Sequence, residues 1–305
     1  MRETFALVSE ELAERIPELV VIVGDISHGL FKNFAARFPD RYYNIGILEP
    51  AMIGIAAGMA RAGLQPVVHT IAPFLVERSF EQLKLDFGYQ GLSVSLVSVG
   101  GSFDYSQLGV SHHTYSDVSL ISQIDGSSVH MPGSPNEFET LYRENFSRPG
   151  IKYFRLSESR HSLHINEEHL TEGSGVLLKE GSDLTLVTSG PLVNVCDAAL
   201  ESVKEAITAD LIYLPTVKPL DTNIIQRSIS RTGRLITVDN LHDYGGLMSL
   251  VLPALKKVQR PLQVKQFGVR SFIHEYGNVE DLYEVAGLTS ENVAGGILDF
   301  VKNGS

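Results

Sequence analysis

Short apolar runs alternate with segments of helical periodicity along most of this chain. The first run, Leu19–Val23, consists of five aliphatic residues and stops at Gly24. Runs of this length without polar alternation are typical of strands buried on both faces of a parallel sheet. Alternating strands and helices place such sheets between helix layers. In the first half we predict strands at 19–23, 66–70, 93–99, near 129 and 151–156, and helices at 4–16 with Thr4 as a cap, 50–62, 74–87, shortly before 129, and from 135.

A second unit with the same pattern follows a polar segment at 157–175. This segment contains three histidines and two glycines, and we interpret it as a linker with solvated histidines, His161, His164 and His169. With 305 residues, about two domains are expected. We therefore predict an α/β protein with two doubly wound, mostly parallel sheets and domains at 1–165 and 176–305. The second unit has predicted strands at 183–187, 210–214, 234–238 and 264–267, and helices at 192–205, 220–230 and 245–257.

Charge and cysteine content narrow the classes of function. Lys and Arg number 25 against 36 Asp and Glu, a net charge of −11, which disfavours nucleic acids and anionic membranes as partners. The single cysteine, Cys196, excludes a disulfide framework and a cysteine zinc site. No apolar run approaches the ~20 residues of a membrane span, and the N-terminus lacks the apolar run of a signal peptide. We expect a cytoplasmic protein without a nucleic-acid or membrane partner.

Polar residues follow three predicted strands or apolar runs, at 24–28, 47–50 and 100–113. Ligands of open parallel sheets bind beyond the carboxyl ends of the strands. Glu49 directly precedes a helix rich in small residues, so it is either an N-terminal helix cap or a buried functional acid. A buried carboxylate needs a partner and suits proton transfer. Both interpretations remain open from position alone.

Two further pairs of residues are candidates with weaker signals. His112 and His113 lie in a loop rich in glycine and serine, and adjacent side chains of an extended segment point apart, so at most one faces a given ligand. Phe74 and Phe80 are six residues apart and do not share one helical face, although core packing would explain each. Phosphate-loop, GxGxxG, GxSxG and HExxH motifs are absent from the sequence.

The segment Gly46–Ala60, GILEPAMIGIAAGMA, resembles the pyrimidine-binding motif of the transketolase family, a glutamate followed by xAM and a helix rich in glycine and alanine. Further matches occur in family order along almost the whole chain. They are Asp25–Ser27 after a strand, Phe74–Arg78 as FLxxR, Gly109–His113 as GPTHH, and Lys218–Asp221, Val238–His242 and Gly245–Leu247 in the C-terminal domain. The chain is most similar in outline to the C-terminal halves of split transketolases and of deoxyxylulose-phosphate synthase. The resemblance implies a pyrimidine-binding domain at 1–165 and a transketolase C-terminal domain at 176–305.

This resemblance implies a transferase that uses thiamine diphosphate. The family moves a two-carbon unit from a ketose or 2-oxo acid to a carbonyl acceptor through the C2 carbanion of the cofactor. Here the acceptor would be a small-molecule sugar or sugar derivative. The Gly-Asp-Gly motif that holds the diphosphate is absent from the sequence. The resemblance therefore implies a separate N-terminal, diphosphate-binding subunit that holds most of the Mg²⁺ (or Ca²⁺) site, in a heterotetramer of two plus two chains.

The family's cofactor residues match positions of this chain. Glu49 matches the glutamate that is hydrogen-bonded to N1′ of the aminopyrimidine and drives removal of the C2 proton. Phe74 and Phe80 match the aromatic residues that pack around the aminopyrimidine, whereas Glu77 between them departs from a common aromatic. Asp25 would lie near the thiazolium ring and the subunit contact.

Substrate residues are implied in the same way. His112 matches the histidine that hydrogen-bonds substrate oxygens beside C2, and it is the second implied catalytic residue. Arg2, His28 and His113 are the other implied substrate-binding residues.

Three departures bear on the substrate. Leu108 replaces an aspartate that reads a sugar hydroxyl, Gly100 replaces a histidine, and Glu158 lies where a basic residue is expected. A glutamate repels phosphate, which arginine or lysine would bind. The departures weaken the case for a sugar phosphate and favour an unphosphorylated or nucleotide-linked sugar, or acyl transfer from a 2-oxo acid.

Two alternative functions remain open from the sequence. One is the β subunit of a 2-oxo acid dehydrogenase decarboxylating component, and the other is a non-catalytic scaffold. His112–His113 and Pro219–Asp221 favour the transketolase side, and Glu49 is the residue that a degenerate scaffold would be expected to lose. In the C-terminal unit, Asp239 and His242 are expected to serve packing or dimer contact.

Overall fold

Two sheets, each flanked by helices, form the protein, and a computed structural model describes residues 1–303. The strands are β1 Leu19–Val23, β2 Tyr42–Asn44, β3 Gln65–Ile71, β4 Val94–Val99, β5 Ser128–His130, β6 Ile151–Arg155, β7 Val176–Lys179, β8 Leu184–Thr188, β9 Ala209–Tyr213, β10 Thr216–Lys218, β11 Arg234–His242 and β12 Gln263–Val269. The α-helices are α1 Arg2–Arg15, α2 Lys32–Arg37, α3 Glu49–Arg61, α4 Phe80–Gln82, α5 Asp117–Ser122, α6 Pro135–Asn145, α7 Val193–Val203, α8 Thr222–Thr232, α9 Leu247–Leu255, α10 Val279–Val285 and α11 Ser290–Asn303.

The first sheet has seven strands in the order β10-β5-β6-β4-β3-β1-β2, and the second has five in the order β12-β11-β8-β9-β7. Every pair in the first sheet is parallel except β10 with β5, and every pair in the second is parallel except β7 with β9. The predicted α/β class with two mostly parallel sheets is confirmed. Strand β10 crosses between the halves, since it follows β9 in sequence but pairs with the first sheet.

The central strands are buried over their whole length, as their apolar sequences predict. All five residues of β1 and all six of β4 are buried. On one face of the first sheet, the ring of Phe5 packs at centroid distances of 5.1 to 6.1 Å against Phe31, Phe138 and Tyr142. Aromatic pairs of this kind stabilise by about 0.5–1.5 kcal/mol beyond their buried area. Helices α1 and α6 are thereby fixed over the sheet.

The predicted helix at 74–87 is interrupted, which corrects the sequence-based interpretation. Wider π turns at Pro73–Glu77 and Leu83–Tyr89 flank the short α4. A π turn admits an extra residue per turn and re-aims the side chains that follow it. A second correction concerns Thr4, which lies inside α1 because this helix begins at Arg2.

The linker histidines are not all solvated, contrary to the prediction. The side chain of His161 is fully buried, with Nε2 2.5 Å from a carboxylate oxygen of Glu137. The hydroxyl of Tyr213 donates to the other oxygen of Glu137 at 2.6 Å. Residues of the linker, of helix α6 and of strand β9 in the second sheet therefore meet at one buried point.

None of the helices within residues 1–303 is long and apolar enough to cross a membrane.

Candidate active site

Glu49 begins α3 at the carboxyl edge of the first sheet, where β1, β2, β3, β4 and β6 all end. Leu48 occupies the N-cap position without a side-chain cap, so the cap interpretation of Glu49 is wrong. The Glu49 side chain is 2% exposed, and its carboxylate accepts a hydrogen bond from Nη1 of Arg78 at 2.9 Å. Glu49 is a buried acid with one cationic partner.

Arg78 reaches Glu49 because of the π turn that precedes it. Its backbone N–H donates to the carbonyl of Pro73, five residues back. The guanidinium carbon lies 4.1 Å from the centroid of the Phe74 ring, while 45% of the side chain is exposed. One half-exposed guanidinium therefore contacts both the buried acid and an aromatic ring. From the sequence, Arg78 was identified only as part of the FLxxR motif. Its spacing of four residues from Phe74 could have predicted the cation–π contact between the two side chains.

His112 lies on the other side of Phe74. The two ring centroids are 5.1 Å apart in an edge-on arrangement. The Nδ1 atom of His112 shares a hydrogen bond with Oγ of Ser111 at 3.0 Å. Burial, followed by the charge of Arg78, lowers the pKa of His112, which favours the neutral imidazole at pH 7. Glu49, Phe74, Arg78 and His112 thus form one continuous group, here called the Glu49 cluster.

The neighbouring candidates His113 and Phe80 have different surroundings. His113 is buried, with Nδ1 2.9 Å from the hydroxyl of Tyr115 and its ring against Phe103. The adjacent histidines therefore diverge as predicted, although His112 ends the 3₁₀ turn Val110–His112 and does not lie in an extended segment. Phe80 is partly buried and packs against the large core cluster beneath this edge. The structure brings Phe74 and His112 together with Glu49, whereas His113 and Phe80 support the surrounding framework.

Asp25 follows β1 at the same edge and is exposed. Its φ of 56° lies in the left-handed region, which is uncommon outside glycine. Asn44 holds it there, because its Oδ1 accepts from the Asp25 N–H and its Nδ2 donates to the Asp25 carboxylate, both at 3.2 Å. The same Oδ1 accepts from the N–H of Gly46 at 3.0 Å. Asn44 therefore ties Asp25 to the segment that leads into Glu49.

Arg2 and His28 line a cavity of about 550 Å³ at this edge. Nη2 of Arg2 lies 2.9 Å from the Glu158 carboxylate, which also lines the cavity. Burial raises the pKa of Tyr105, and the charges of Arg2 and Glu158 also act on it, so Tyr105 is close to this cavity. Its ring packs on Gly100, where a Cβ atom would approach it to 2.4 Å, and is 6.5 Å from the ring of His112. Glycine at position 100 is thus what lets Tyr105 lie here.

The loop that carries His112 is anchored from both sides. Glu77 accepts a hydrogen bond from Oγ1 of Thr114 at 2.7 Å, and burial raises the pKa of Glu77. On the inner side, Nη2 of the buried Arg155 donates to Oγ of Ser102 at 2.7 Å and to the carbonyl of Thr114 at 3.2 Å. The loop ends are further joined by reciprocal backbone hydrogen bonds between Ser102 and Thr114. His112 is therefore presented from a braced loop.

Arg155 also connects this loop to the second domain. Its Nε donates to the buried carboxylate of Asp117 at 2.7 Å, and its Nη1 donates to the side chain of Asn240 at 3.2 Å. The hydroxyl of Tyr153 donates to the same Asp117 oxygen at 2.6 Å. The sequence did not predict these contacts of Arg155, because Asp117 and Asn240 are 38 and 85 residues away from it.

His69 is a further buried group at this edge. Its Nδ1 lies 2.7 Å from the carbonyl oxygen of Val97, so Nδ1 carries the proton and donates. Its Nε2 then accepts from the hydroxyl of Ser27 at 3.0 Å. This bond holds Ser27, whose φ is 58°, at the cavity wall. Burial lowers the pKa of His69 to about 4.

We expect His69 to remain neutral, with the proton on Nδ1, from pH 8 down to about pH 5. Unfolded histidine titrates near 6.5, so the unfolded chain binds this proton first, and His69 costs stability as pH falls from 6.5 towards 4. The cost reaches roughly 3 kcal/mol. Burial raises the pKa of Asp104 to about 6 and of Asp239 to about 7, which opposes this trend in total stability. Residue-specific NMR titration is therefore the measurement, and a His69 midpoint near 6.5 would contradict the geometry.

The donor set fits part of a cofactor. A buried acid joined through Arg78 to a partly exposed aromatic ring suits a flat nitrogen heterocycle, which can bond to the carboxylate and pack against the ring. Within residues 1–303, no group of three or more His, Cys, Asp or Glu side chains is arranged to hold a metal ion.

Two family descriptions match the chain in order. Residues 1–164 match the transketolase pyrimidine-binding domain, and residues 173–293 match the transketolase C-terminal domain. Over 292 residues the chain is 32% identical to an uncharacterized 33.6 kDa protein in the fasciation locus of Rhodococcoides fascians, which covers 94% of this chain and 90% of that protein. It is 30% identical to a 6-deoxy-6-sulfo-D-fructose transketolase subunit of Clostridium sp. strain MSTE9, and this match covers 96% of this chain and 92% of that protein.

A solved structure described as a split gene transketolase, inactive beta4 tetramer, superposes with a TM-score of 0.86. It is 28% identical and covers 99% of this chain and 97% of that chain. The chain therefore belongs to the transketolase family and is organised like the C-terminal subunit of a split transketolase.

Proposed function

We propose that this protein is the C-terminal subunit of a split transketolase-like enzyme. It transfers a two-carbon unit from a ketose or 2-oxo acid donor to a carbonyl acceptor, a sugar or sugar derivative, with thiamine diphosphate as cofactor. The observation that carries the proposal is the buried carboxylate of Glu49, which is paired with the half-exposed Arg78, whose guanidinium also lies over the ring of the partly exposed Phe74.

When bound, thiamine diphosphate supplies a nucleophilic carbon that attacks a carbonyl group. Glu49 would hold the pyrimidine through its carboxylate and share a proton with it, and Phe74 would pack against the ring, while Phe80 would support the framework of the site. Asp25 lies at the end of β1, on the side assigned to the thiazolium ring. Arg78 pairs with Glu49 in the chain alone, and it would release this carboxylate to a bound pyrimidine.

The substrate contacts the other candidate residues at the carboxyl edge of the first sheet. His112, neutral at pH 7, donates or accepts a hydrogen bond at the substrate oxygens, while His113 holds the loop from behind. Arg2 and His28 contact the far end of the substrate in the cavity they line. One extended binding path is supported by a series of neighbouring side chains, which runs from Glu49 through Phe74 and His112 to Tyr105 and this cavity.

The remaining half of the cofactor site is assigned to a partner. Ile47 and Leu48, next to Glu49, are 68% and 60% exposed, and a Cβ atom at Gly58 on α3 would meet nothing within 4 Å. This open apolar face suits an N-terminal subunit that brings the diphosphate site and Mg²⁺ (or Ca²⁺), in a heterotetramer of two plus two chains. The domain limits 1–165 and 176–305 and a cytoplasmic location belong to the same proposal.

Reconstitution tests this function. The chain is mixed with an N-terminal transketolase subunit from the same organism, thiamine diphosphate and Mg²⁺, and donors of both classes are screened for two-carbon transfer to aldoses. We expect cofactor binding only in the mixture, and transfer from at least one donor. Failure of the pair to bind the cofactor would reject the proposal, and reduction of a lipoyl acceptor would identify a dehydrogenase component instead.

We expect His112→Ala to lower kcat/KM for the reconstituted pair by about 10- to 100-fold, because one hydrogen bond to the reacting substrate is lost. Cofactor affinity should change little, since the ring of His112 reaches Phe74 only edge-on. Steady-state kinetics with the best donor measures the effect. The control is His164→Ala, an exposed histidine of the linker. Equal activities of the two variants would remove His112 from the substrate site.

A further inference from the structure

The side chains that line the cavity beside Arg2 carry balanced charge. Arg2 and Arg160 line it together with Glu3 and Glu158. The remaining polar lining residues include His28 and three residues with hydroxyl side chains, Thr4, Ser27 and Ser157. Such a lining offers donors and acceptors to the hydroxyl groups of a sugar. The side chains therefore carry no surplus positive charge to neutralise a phosphate dianion, which binds best to arginine forks. Met1 also lines the cavity, and burial lowers the pKa of its α-amino group, which weakens the one further cation there.

Glu158 is directed at Arg2 by the turn that follows β6. The backbone N–H of Glu158 donates to Oδ2 of Asp104 at 3.0 Å, and the hydroxyl of Ser157 donates to Oδ1 of Asp104 at 2.9 Å. From this fixed backbone the Glu158 carboxylate reaches Nη2 of Arg2 at 2.9 Å. One of the two arginines that line this cavity is thus already paired with a carboxylate of the same chain.

The cavity is connected to the Glu49 cluster through two consecutive residues. Asp104 binds the turn of Glu158, and Tyr105 approaches His112. A substrate whose reacting carbonyl lies at His112 therefore extends past Tyr105 towards Arg2 and Glu158. The charge state of this far end is what the cavity selects.

We propose that the cavity takes the uncharged, polyhydroxylated end of the acceptor sugar, and that Glu158 excludes acceptors that end in phosphate. This inference rests on the proposed function, because it assigns the cavity to the acceptor of that reaction. It makes Glu158 a specificity-determining residue. Removal of the Glu158 charge frees Arg2, and an anion then binds where the carboxylate was.

The test is a calorimetric titration of the full chain with inorganic phosphate, which needs neither partner nor cofactor. We expect Glu158→Gln to bind phosphate about 10- to 100-fold more tightly than the wild type, as one charge-assisted hydrogen-bond site becomes available. The matched control is Glu3→Gln, which removes the same charge from the cavity lining but leaves the Arg2–Glu158 pair. The gain should vanish in the double variant Arg2→Gln/Glu158→Gln.

Three results would overturn the inference: wild-type phosphate affinity equal to that of Glu158→Gln, an equal gain in Glu3→Gln, or a gain that survives removal of Arg2. In the reconstituted pair, the ratio of kcat/KM for erythrose 4-phosphate to that for erythrose should rise about 10- to 100-fold in Glu158→Arg. An unchanged ratio would also overturn it. Absence of transfer to either aldose in every variant would count against the proposed function, while the phosphate titration would still decide the role of Glu158.

Discussion

Replacing Glu49 by glutamine should lower the rate of hydrogen–deuterium exchange at C2 of the bound cofactor by about 10²- to 10⁴-fold, the range typical of a lost general acid–base. The amide keeps the shape of the side chain but cannot exchange a proton with the pyrimidine nitrogen. Because Glu49 is buried and contacts Arg78 alone among charged groups described at its carboxylate, solvent has little access to replace it. NMR of the quenched cofactor from the reconstituted pair measures this exchange.

A nearby carboxylate provides the control for this variant. Glu81 lies on α4 at the same side of the sheet and is paired with Lys84 at 2.6 Å on the surface. We expect Glu81→Gln to exchange at the wild-type rate. A calorimetric titration should show that Glu49→Gln still binds thiamine diphosphate in the presence of the partner. Normal C2 exchange in Glu49→Gln would remove the acid from the proposed mechanism, whatever the substrate.

Replacing Arg155 by methionine should lower the free energy of unfolding by about 3–5 kcal/mol, since the change leaves a buried charge without its partner. Asp117 is fully buried and would retain only the hydroxyl of Tyr153, at 2.6 Å. The side chain of Asn240, from the second domain, would also lose the guanidinium. Urea unfolding followed by circular dichroism measures the loss.

A partly exposed arginine of the same chain gives the contrast. Arg143 on α6 pairs with Glu139 at 2.9 Å and with Glu11, and such surface pairs contribute about 0–1 kcal/mol each. We therefore expect Arg143→Met to unfold close to the wild type. The double variant Arg155→Met/Asp117→Asn should recover part of the stability, because the uncompensated charge is removed. A loss below about 1 kcal/mol in Arg155→Met would show that the pair is not desolvated as described.

The local sequence pattern was sufficient to predict central elements such as β1 and α3. The run Leu19–Val23 is observed as β1 with the same bounds, and the helix expected at 50–62 is α3 at Glu49–Arg61. Both have a strong apolar pattern and a glycine or proline near one end, so local chemistry and tertiary packing agree.

Some of the elements missed are short or depend on distant partners. Helices α10 and α11 were missed as well, although Val293, Ile297 and Phe300 of α11 recur at helical spacing and are buried in the core. Strands β2 and β10 have three residues each, too few for any periodicity to be read. Strand β10 exists because it pairs with β5, about 86 residues earlier. The two π turns around α4 likewise follow from packing, because a helical pattern at 74–87 does not state where an extra residue enters the turn.

The candidate site shows the same division. Glu49, Phe74 and His112 were named from the sequence, and the structure brings them together. Arg78 became part of the site only through the π turn, which decides where its guanidinium lies. The pairing of Arg2 with Glu158 joins positions 156 residues apart, so the sequence could supply the charges of the two residues but not their contact.

Strand β10 has a consequence for how such a subunit can be recombined. It carries Lys218, whose ammonium donates to the carbonyls of Ser122 and Ile124 and to the hydroxyl of Ser127 in the first domain. If two related sequences were fused in the segment between the domains, Thr216–Lys218 of one parent would have to pair with β5 of the other. A strand that pairs poorly there would leave β5 as an unprotected sheet edge. The two domains have separate sheets, but they cannot be exchanged independently of each other. In a chimera of two relatives, β5 and β10 must come from the same parent protein.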